Sequence, residues 1–492
     1  MPTDFLDGFR PQPLSKLMAE EPGRLEALAF DLAGIRFDFS KTHLTSALLA
    51  ALDPVPYADA LARLFAGEIV NPTEGRAAEH PAERGSGSPD SVALATQRQA
   101  RLRGLVDAIE AGAFGDISGI LHIGIGGSAL GPALLVDALG RDSGRFNVEI
   151  LSNIDGQAVD AALARLDPGS TLVAVASKTF TTAETLRNTE AALAWLTRGG
   201  VEDPFGRLIA LTAAPDKAIE FGIDETRILP FAASVGGRYS LWSSIGFPAA
   251  LALGIDAFDQ LLEGAALIDA HVRDAPPTAN VALVAAAADL LYTRHFGAET
   301  RAIFAYDERL RLLPSYLQQL VMESNGKSTR LDGSPVDGST SAILWGGTGT
   351  DAQHAVFQLL HQGTHLVPAE FVCVAEADDD QDPAHHRELL LNAFAQGAAL
   401  MTGRASDDPH RHYPGDRPST TILLERLDPR TLGALLAFHE HRTFAESVLL
   451  EINPFDQFGV ELGKDMARAI DDPATRARFD PSTRALIEKA GL

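Results

Sequence analysis

Two glycine- and hydroxyl-rich segments have the composition of an anion-binding site. The segment 124–129 reads GIGGSA and follows an apolar run, so its glycines and the N–H groups of a following helix suit a phosphate. Ser128 adds a hydroxyl in the first helical turn. The segment 177–182 reads SKTFTT and also follows an apolar run. Its five polar donors favour a phosphate cradle over a simple helix cap, and we predict one phosphate-bearing ligand held between the two segments.

The first of these segments is open to a second interpretation. It satisfies the pattern G-x-G-x-x-A of dinucleotide-binding proteins, and Asp155 stands where such a site needs an acid after its second strand. A nucleotide-dependent oxidoreductase therefore stays open at this point. A tight turn that requires glycine would explain the pattern without any ligand.

Two further segments place a single charged residue beside structure-breaking residues. Arg238 lies between a glycine pair and a helix, where it suits a phosphate, a developing enolate or a structural carboxylate partner. Glu323 lies at the end of an apolar helix beside Leu320, Val321 and Met322. Apolar surroundings raise the pKa of a carboxyl group, which suits a general base near neutral pH. A structural carboxylate is the alternative.

The histidines offer an acid/base group more readily than a metal site. His354 lies in the first turn of a helix that follows a glycine-rich loop, and we predict an acid/base role for it. His361 and His365 are four residues apart on one expected helix face, but no third ligand lies nearby in the sequence. The Asp- and His-containing segments 377–386 and 405–418 are interpreted as solvated surface loops.

Runs of β-branched residues alternate with runs rich in Ala and Leu, and the strands and helices that they predict must position these residues. This alternation predicts an α/β fold with two parallel-rich layers, one in each half, without a sequence repeat. Residues 1–70 are expected to be helical, and 71–95 to form a loop or domain junction. The predicted strands are 119–124, 146–152, 171–177, 208–213, 301–306, 341–346, 369–376 and 420–426. The predicted helices are 128–140, 156–166, 182–196, 214–221, 240–274, 279–295, 309–323, 351–365, 384–402 and 430–450.

Composition excludes several classes of function. The net charge is −25, from 66 acidic and 41 basic residues, which argues against nucleic acid or an anionic membrane as a partner. The single cysteine, Cys373, allows no intramolecular disulfide and lies in an apolar run that indicates a buried thiol. No apolar run reaches about 18 residues, and the N-terminus lacks the features of a signal peptide. We expect a soluble cytoplasmic protein.

Six motifs in order resemble the phosphoglucose isomerase family. They span residues 124–464, and the segment 71–80 (NPTEGRAAEH) resembles a further motif of that family. The motifs are GIGGSALGP, SKTFTTAET, VGGRYSLWSSIG, QLVMESNGKS, QHAVFQLLHQGT and FDQFGVELGK. The resemblance implies two αβα sandwich domains of the sugar-isomerase (SIS) type, with helical N- and C-terminal segments. We expect a smaller domain at 95–250, and a larger domain formed by 1–94 and 251–492.

The resemblance also implies an activity and the residues that carry it. The activity is the interconversion of glucose 6-phosphate and fructose 6-phosphate through ring opening and a cis-enediol, without metal or nucleotide. Glu323 is then the base, Arg238 stabilises the intermediate, and His354 and Lys464 assist ring opening. In the family, a homodimer shares its active sites, and the histidine comes from the partner subunit. The implied substrate contacts are Gly127, Ser128, Ser177, Lys178, Thr179, Thr182, Gln319 and Gln457.

Three features depart from the family pattern. Phe458 stands where tryptophan is usual, the loop before His354 reads GTDAQH where GTNGQH is common, and the chain is shorter than the long animal-type members. None of them removes a catalytic residue type. A non-catalytic sugar-phosphate sensor is the remaining alternative, but a sensor has no need of a base such as Glu323.

Overall fold

The structure is a computed structural model that describes residues 4–141, 145–378 and 382–492. The chain divides into two compact units, Met1–Pro454 and Phe455–Leu492. The described residues of the first unit hold two β-sheets, of five and six strands. The strands are β1 Ala29–Leu32, β2 Ile35–Asp38, β3 Gly119–Gly124, β4 Asn147–Leu151, β5 Thr171–Ala176, β6 Leu208–Thr212, β7 Ile228–Pro230, β8 Thr300–Tyr306, β9 Ile343–Thr348, β10 Ala369–Val374 and β11 Ser419–Leu424.

Helices surround both sheets and separate most of the parallel strands. In the first unit they are α1 Leu14–Glu20, α2 Arg24–Leu28, α3 Ser46–Ala51, α4 Val55–Phe65, α5 Pro89–Glu110, α6 Gly127–Leu139, α7 Gly156–Leu163, α8 Ala183–Arg198, α9 Pro215–Phe221, α10 Phe247–Leu253, α11 Ile255–Asp274, α12 Val281–Leu290, α13 Leu313–Leu317, α14 Gly349–Gln362, α15 Pro383–Thr402 and α16 Pro429–Leu449. The C-terminal unit holds α17 Glu461–Asp471, α18 Pro473–Arg476 and α19 Pro481–Ala490. Within the described residues, no helix has the length and apolar character to cross a membrane.

The five-stranded sheet is parallel throughout and has the order β4-β3-β5-β6-β7. Its inner strands read ILHI, TLVAVA and LIALT and are buried on both faces, as a parallel sheet covered by helices requires. The chain leaves β3 toward β4 on one side and returns to β5 on the other. The switch point of the sheet therefore lies between the carboxyl ends of β3 and β5, where ligands of such folds bind.

The six-stranded sheet has the order β1-β2-β11-β10-β8-β9. Strands β8 to β11 pair in parallel, whereas β1 and β2 form an antiparallel hairpin on β11. The α/β class with parallel-rich sheets is therefore confirmed. All eight predicted strands are present, with ends that differ by at most two residues.

The N-terminal hairpin corrects the expectation of helix in residues 1–70. Its strands alternate in polarity at Ile35-Arg36-Phe37-Asp38, and Phe37 and Ile35 are buried. Ala33 and Gly34 both have positive φ and form the two-residue turn that a tight hairpin needs. Elsewhere in this region the expectation of helix is confirmed at α1 to α4.

Several helix boundaries differ from the sequence prediction. The spacing of polar and apolar residues does not show where an α-helix changes into a 3₁₀ or π-helical turn. The expected helix 240–274 is divided into 3₁₀ turns, α10 and α11, and a glycine with positive φ, Gly254, separates the two helices. The expected helix 309–323 comprises α13 followed by a π-helical turn, Gln318–Glu323. The junction 71–95 is loop and 3₁₀ turn only up to Pro89, where α5 begins. In the expected loop 377–386, residues 379–381 lie outside the described residues.

Helices α11 and α16 approach so closely that only glycine fits at their contact. A Cβ atom on Gly264 would lie 1.8 Å from the carbonyl oxygen of Arg430, and one on Gly433 would lie 2.0 Å from that of Leu261. Both distances are far below van der Waals contact between backbone atoms and a methyl group. The two glycines therefore set the separation of these helices.

We predict that Gly264→Ala lowers the free energy of unfolding by about 3 kcal/mol, since the helices must separate to admit the methyl group. The matched control is Gly104→Ala within α5, where a Cβ atom has no neighbour within 4 Å. That change should stabilise the helix by up to about 1 kcal/mol. Urea unfolding curves of both variants would measure the difference. Equal midpoints would show that the close approach is not maintained in solution.

Candidate active site

The switch point of the five-stranded sheet brings both predicted phosphate-binding segments together. The loop after β3 leads into α6 through Gly126, which has a φ of +57° that favours glycine. The loop after β5 leads into α8, and its hydroxyls hydrogen-bond in pairs, Ser177 with Thr182 at 3.1 Å and Thr179 with Thr181 at 2.8 Å. Thr182 precedes α8 but makes no side-chain capping bond. These hydroxyls are therefore not used up by capping the helix.

The glycines after β3 allow other predicted segments to approach. A Cβ atom on Gly127 would lie 2.2 Å from the carbonyl carbon of Gly237 and 2.5 Å from the amide nitrogen of Arg238. A Cβ atom on Gly126 would lie 2.9 Å from the amide nitrogen of the Gln319 side chain. The absence of side chains at 126 and 127 thus brings the Arg238 and Gln319 segments against the first loop.

Arg238 is buried and is held by groups from two distant parts of the chain. Its Nε donates to the Ser324 hydroxyl at 2.6 Å, and its Nη2 donates to the carbonyl oxygen of Pro454. Its Nη1 lies 3.7 Å from Oε2 of Glu323. A buried guanidinium needs such partners, because burial of an unpaired charge is costly. The structure therefore places the guanidinium of Arg238 beside the carboxylate of Glu323.

Glu323 ends the π-helical turn that follows α13. Its Oε2 atom is buried and accepts no hydrogen bond from the described residues. Lys327 donates to the carbonyl oxygens of Glu323 and Ser324, at 2.5 Å and 3.0 Å, and so holds the end of this helix. π-helical turns are frequent at functional sites. A carboxylate oxygen without a donor, next to a guanidinium, is available to accept a proton.

Lys178 adds a second cation near the loops. Its Nζ donates to the carbonyl oxygen of Val235 at 3.0 Å. Burial lowers the pKa of Lys178 to about 8, and the nearby charges of Arg76 and Arg238 act in the same direction. Lys178 therefore changes its charge close to physiological pH.

Three contributors to the site were not predicted from the sequence. Ser324 and Tyr239 bond each other through their hydroxyls at 2.9 Å beside Arg238, and Arg76 donates to the carbonyl oxygen of Ala233 in the loop that leads to Arg238. The signal for Ser324 is its position directly after Glu323. For Arg76 the signal is the motif NPTEGRAAEH, in which Glu74 holds the guanidinium at 2.7 Å.

The remaining predicted residues have separate locations. His354 lies exposed near the start of α14, in the second turn and not in the first as expected, because the helix begins at Gly349. The expectation that His361 and His365 share a helix face is wrong, because α14 ends at Gln362. Gln457 and Lys464 belong to the C-terminal unit, in which Lys464 lies in α17.

The interpretation of Asp155 as the acid of a dinucleotide site loses support. Asp155 caps α7 by accepting from the backbone N–H of Gln157 at 2.9 Å, which is a structural task. Among residues 4–141, 145–378 and 382–492, no three His, Cys, Asp or Glu side chains are grouped so as to hold a metal ion.

Comparison with known proteins identifies relatives over nearly the whole chain. The sequence profile of the family described as "Phosphoglucose isomerase" matches residues 38–487. Glucose-6-phosphate isomerase from Rhizorhabdus wittichii is 67% identical over 481 residues, which cover 97% of this chain and 96% of that protein. The enzyme of the same name from Zymomonas mobilis is 61% identical over 97% of this chain and 95% of its own length.

A solved structure has the same fold. The crystal structure of a glucose-6-phosphate isomerase from Chlamydia trachomatis superimposes with a TM-score of 0.89 at 29% identity, over 99% of each chain. The crystal structure of a hypothetical protein from Thermus thermophilus gives a TM-score of 0.68 at 27% identity, over 88% of this chain and 99% of its own.

We predict that affinity for a sugar phosphate falls about tenfold between pH 7 and pH 9, because Lys178 loses its proton as the pH rises through about 8. A phosphate monoester is already dianionic in this range, since its second pKa is about 6. Calorimetric titration with 6-phosphogluconate at both pH values measures the effect. In Lys178→Arg the affinity should be nearly constant, because arginine keeps its charge. The same pH dependence in that variant would contradict the assignment.

Proposed function

The chain belongs to the phosphoglucose isomerase family and interconverts glucose 6-phosphate and fructose 6-phosphate, and we propose how its residues divide this reaction. The reaction passes through ring opening and a cis-enediol intermediate and is a step of glycolysis and gluconeogenesis. It needs one base that moves a proton between adjacent carbons, a cation near the sugar oxygens and an anchor for the phosphate. The observation that carries the proposal is the joint position of Glu323 and Arg238 beside the loops of the switch point.

We assign the proton transfer between C1 and C2 of the open-chain sugar to Glu323. Its buried Oε2 atom accepts no hydrogen bond from the described protein, so it can accept the proton without first losing a partner. One carboxylate suffices, since the proton removed from one carbon is returned to the neighbouring carbon. This economy favours Glu323 over a mechanism with a separate acid and base.

We assign stabilisation of the enediolate oxygens to Arg238. Its guanidinium is buried and lies 3.7 Å from the carboxylate of Glu323. Negative charge moves from the carboxylate to the substrate oxygens as the proton is removed. The attraction between these oxygens and a fixed cation is stronger in a desolvated site than in water.

We propose that the hydroxyl-rich loops bind the phosphate. Lys178 supplies a charge, and the hydroxyls and the N-termini of α6 and α8 supply donors. Remote binding energy of this kind orients the reacting carbons. The proposed contacts are Gly127, Ser128, Ser177, Lys178, Thr179 and Thr182, with Gln319 and Gln457 on the sugar.

Ring opening is assigned to His354 and Lys464, and we propose that the protein is a homodimer in which His354 serves the site of the partner subunit. The exposed position of His354 on α14 supports this arrangement, because its side chain is accessible to a second subunit.

We also propose two domains, 95–250 and the remainder, and a cytoplasmic location. The domain boundary is supported by the five-stranded sheet, which lies wholly within 119–230. The location is supported by the cysteine content, since a chain with the single cysteine Cys373 holds no intramolecular disulfide, as is usual for proteins of the reducing cytoplasm.

We predict that Glu323→Gln lowers kcat at least about a hundredfold while sugar-phosphate affinity changes little, because only proton transfer is removed. A coupled assay of fructose 6-phosphate conversion in the presence of chelator gives the rate, and titration with 6-phosphogluconate gives the affinity. The matched control is Glu190→Gln, an exposed carboxylate on α8. Near-normal turnover in Glu323→Gln would refute the base assignment.

Mixed dimers test the shared site. A heterodimer of one Glu323→Gln subunit and one His354→Ala subunit should regain about half of the wild-type activity, since one of its two sites then has both residues intact. Two different affinity tags allow its purification after co-expression. Activity no higher than that of the two parent homodimers would show that His354 acts within its own subunit.

A further inference from the structure

We propose that Ser324 is a positioning residue that fixes the guanidinium of Arg238 relative to the carboxylate of Glu323. The inference rests on the proposed roles of these two residues. The Ser324 hydroxyl accepts from Nε of Arg238 at 2.6 Å and bonds the Tyr239 hydroxyl at 2.9 Å. Ser324 has no exposed surface, and Tyr239 and Arg238 are also buried.

Two of the groups that bind the guanidinium of Arg238 are placed so that they fix its plane. Ser324 holds Nε, and the carbonyl oxygen of Pro454 holds Nη2, so two different nitrogens of the planar group are tied. A planar group held at two nitrogens cannot rotate about its own axis. The third nitrogen, Nη1, is consequently the one directed to Glu323, at 3.7 Å.

The position of Ser324 in the chain explains why its bond to Arg238 can fix the distance between Arg238 and Glu323. Ser324 follows Glu323 directly, so the base and the anchor of the cation share one backbone. Asn325 extends the connection, because its side chain donates to the carbonyl oxygen of Thr443 at 3.0 Å and to Glu446 at 2.9 Å in α16. The distance between base and cation is therefore set within one short segment that the buried helix α16 supports.

Loss of the hydroxyl would affect the transition state more than the ground state. Without it, the N–H at Nε loses a buried acceptor and the guanidinium can reorient. Binding of the phosphate uses other groups, whereas the developing enediolate needs the cation already in place. Tyr239 bonds Ser324 as a second support, so loss of its hydroxyl alone should have a smaller effect.

The test is Ser324→Ala, with kcat, KM and the affinities of two ligands as readouts. We expect kcat to fall about tenfold with KM nearly unchanged. Affinity for a hydroxamate analogue of the enediolate should fall by the same factor, whereas affinity for glucitol 6-phosphate, which carries no such charge, should not change. Ser324→Thr, which keeps the hydroxyl, should restore kcat and the affinity for the hydroxamate. Tyr239→Phe should lower kcat about twofold.

The matched control is Ser447→Ala, another fully buried serine, whose hydroxyl donates to the carbonyl oxygen of Phe444 at 2.7 Å. It should leave kcat and both affinities unchanged. If Ser324→Ala does not fold, Ser324→Cys keeps a side chain of similar volume with a weaker acceptor. It must then lose affinity for the hydroxamate and keep its affinity for glucitol 6-phosphate. A normal kcat, or an equal loss for both ligands, overturns the proposal. If Glu323→Gln is also active, the proposed function fails instead.

Discussion

The structure depends on the pairing of charges that are buried along helix α16. This helix is buried over nearly its whole length although it carries the sequence His439-Glu440-His441-Arg442. Glu440 pairs with Arg84 at 2.5 Å and accepts from the indole N–H of Trp242 at 2.8 Å. Breaking a buried pair by removing one partner costs about 3–5 kcal/mol, so α16 is restricted to one register.

Arg442 connects these buried charge pairs to the six-stranded sheet. It bonds Asp289 in α12 at 2.7 Å and Glu370 in β10, and Arg301 in β8 also bonds Asp289, at 2.5 Å. On the other side, Trp242 follows the Arg238 segment by four residues, and Asn325 ties the Glu323 segment to α16. Both halves of the proposed catalytic pair are thus held to one helix, and this common reference explains how a distance between distant segments is maintained.

Much of this arrangement could be predicted from the sequence, for identifiable physical reasons. Strands of a buried parallel sheet are apolar runs, and the glycines and hydroxyls that follow them mark loops, so the positions of the two proposed phosphate-binding loops were predictable without structural information. The hairpin of β1 and β2 was not predicted, since the alternation in β2 is only four residues long within a region of helical spacing. Spacing also does not reveal partners such as Arg84 and Glu440, which are 356 residues apart. The role of Ser324 depends on such a long-range contact, with Arg238.

The π-helical turn at Gln318–Glu323 has a consequence for how this segment tolerates change. Such a turn contains one residue more than the neighbouring α-helical turns, and Gln319 and Glu323 both occupy it. The width of the turn therefore sets the spacing of these two side chains. Deletion of one residue between them would close the turn into a regular helix and bring Gln319 and Glu323 one residue closer along the chain, although neither residue had been lost. Homologous sequences can therefore be compared here only with the length of the segment preserved.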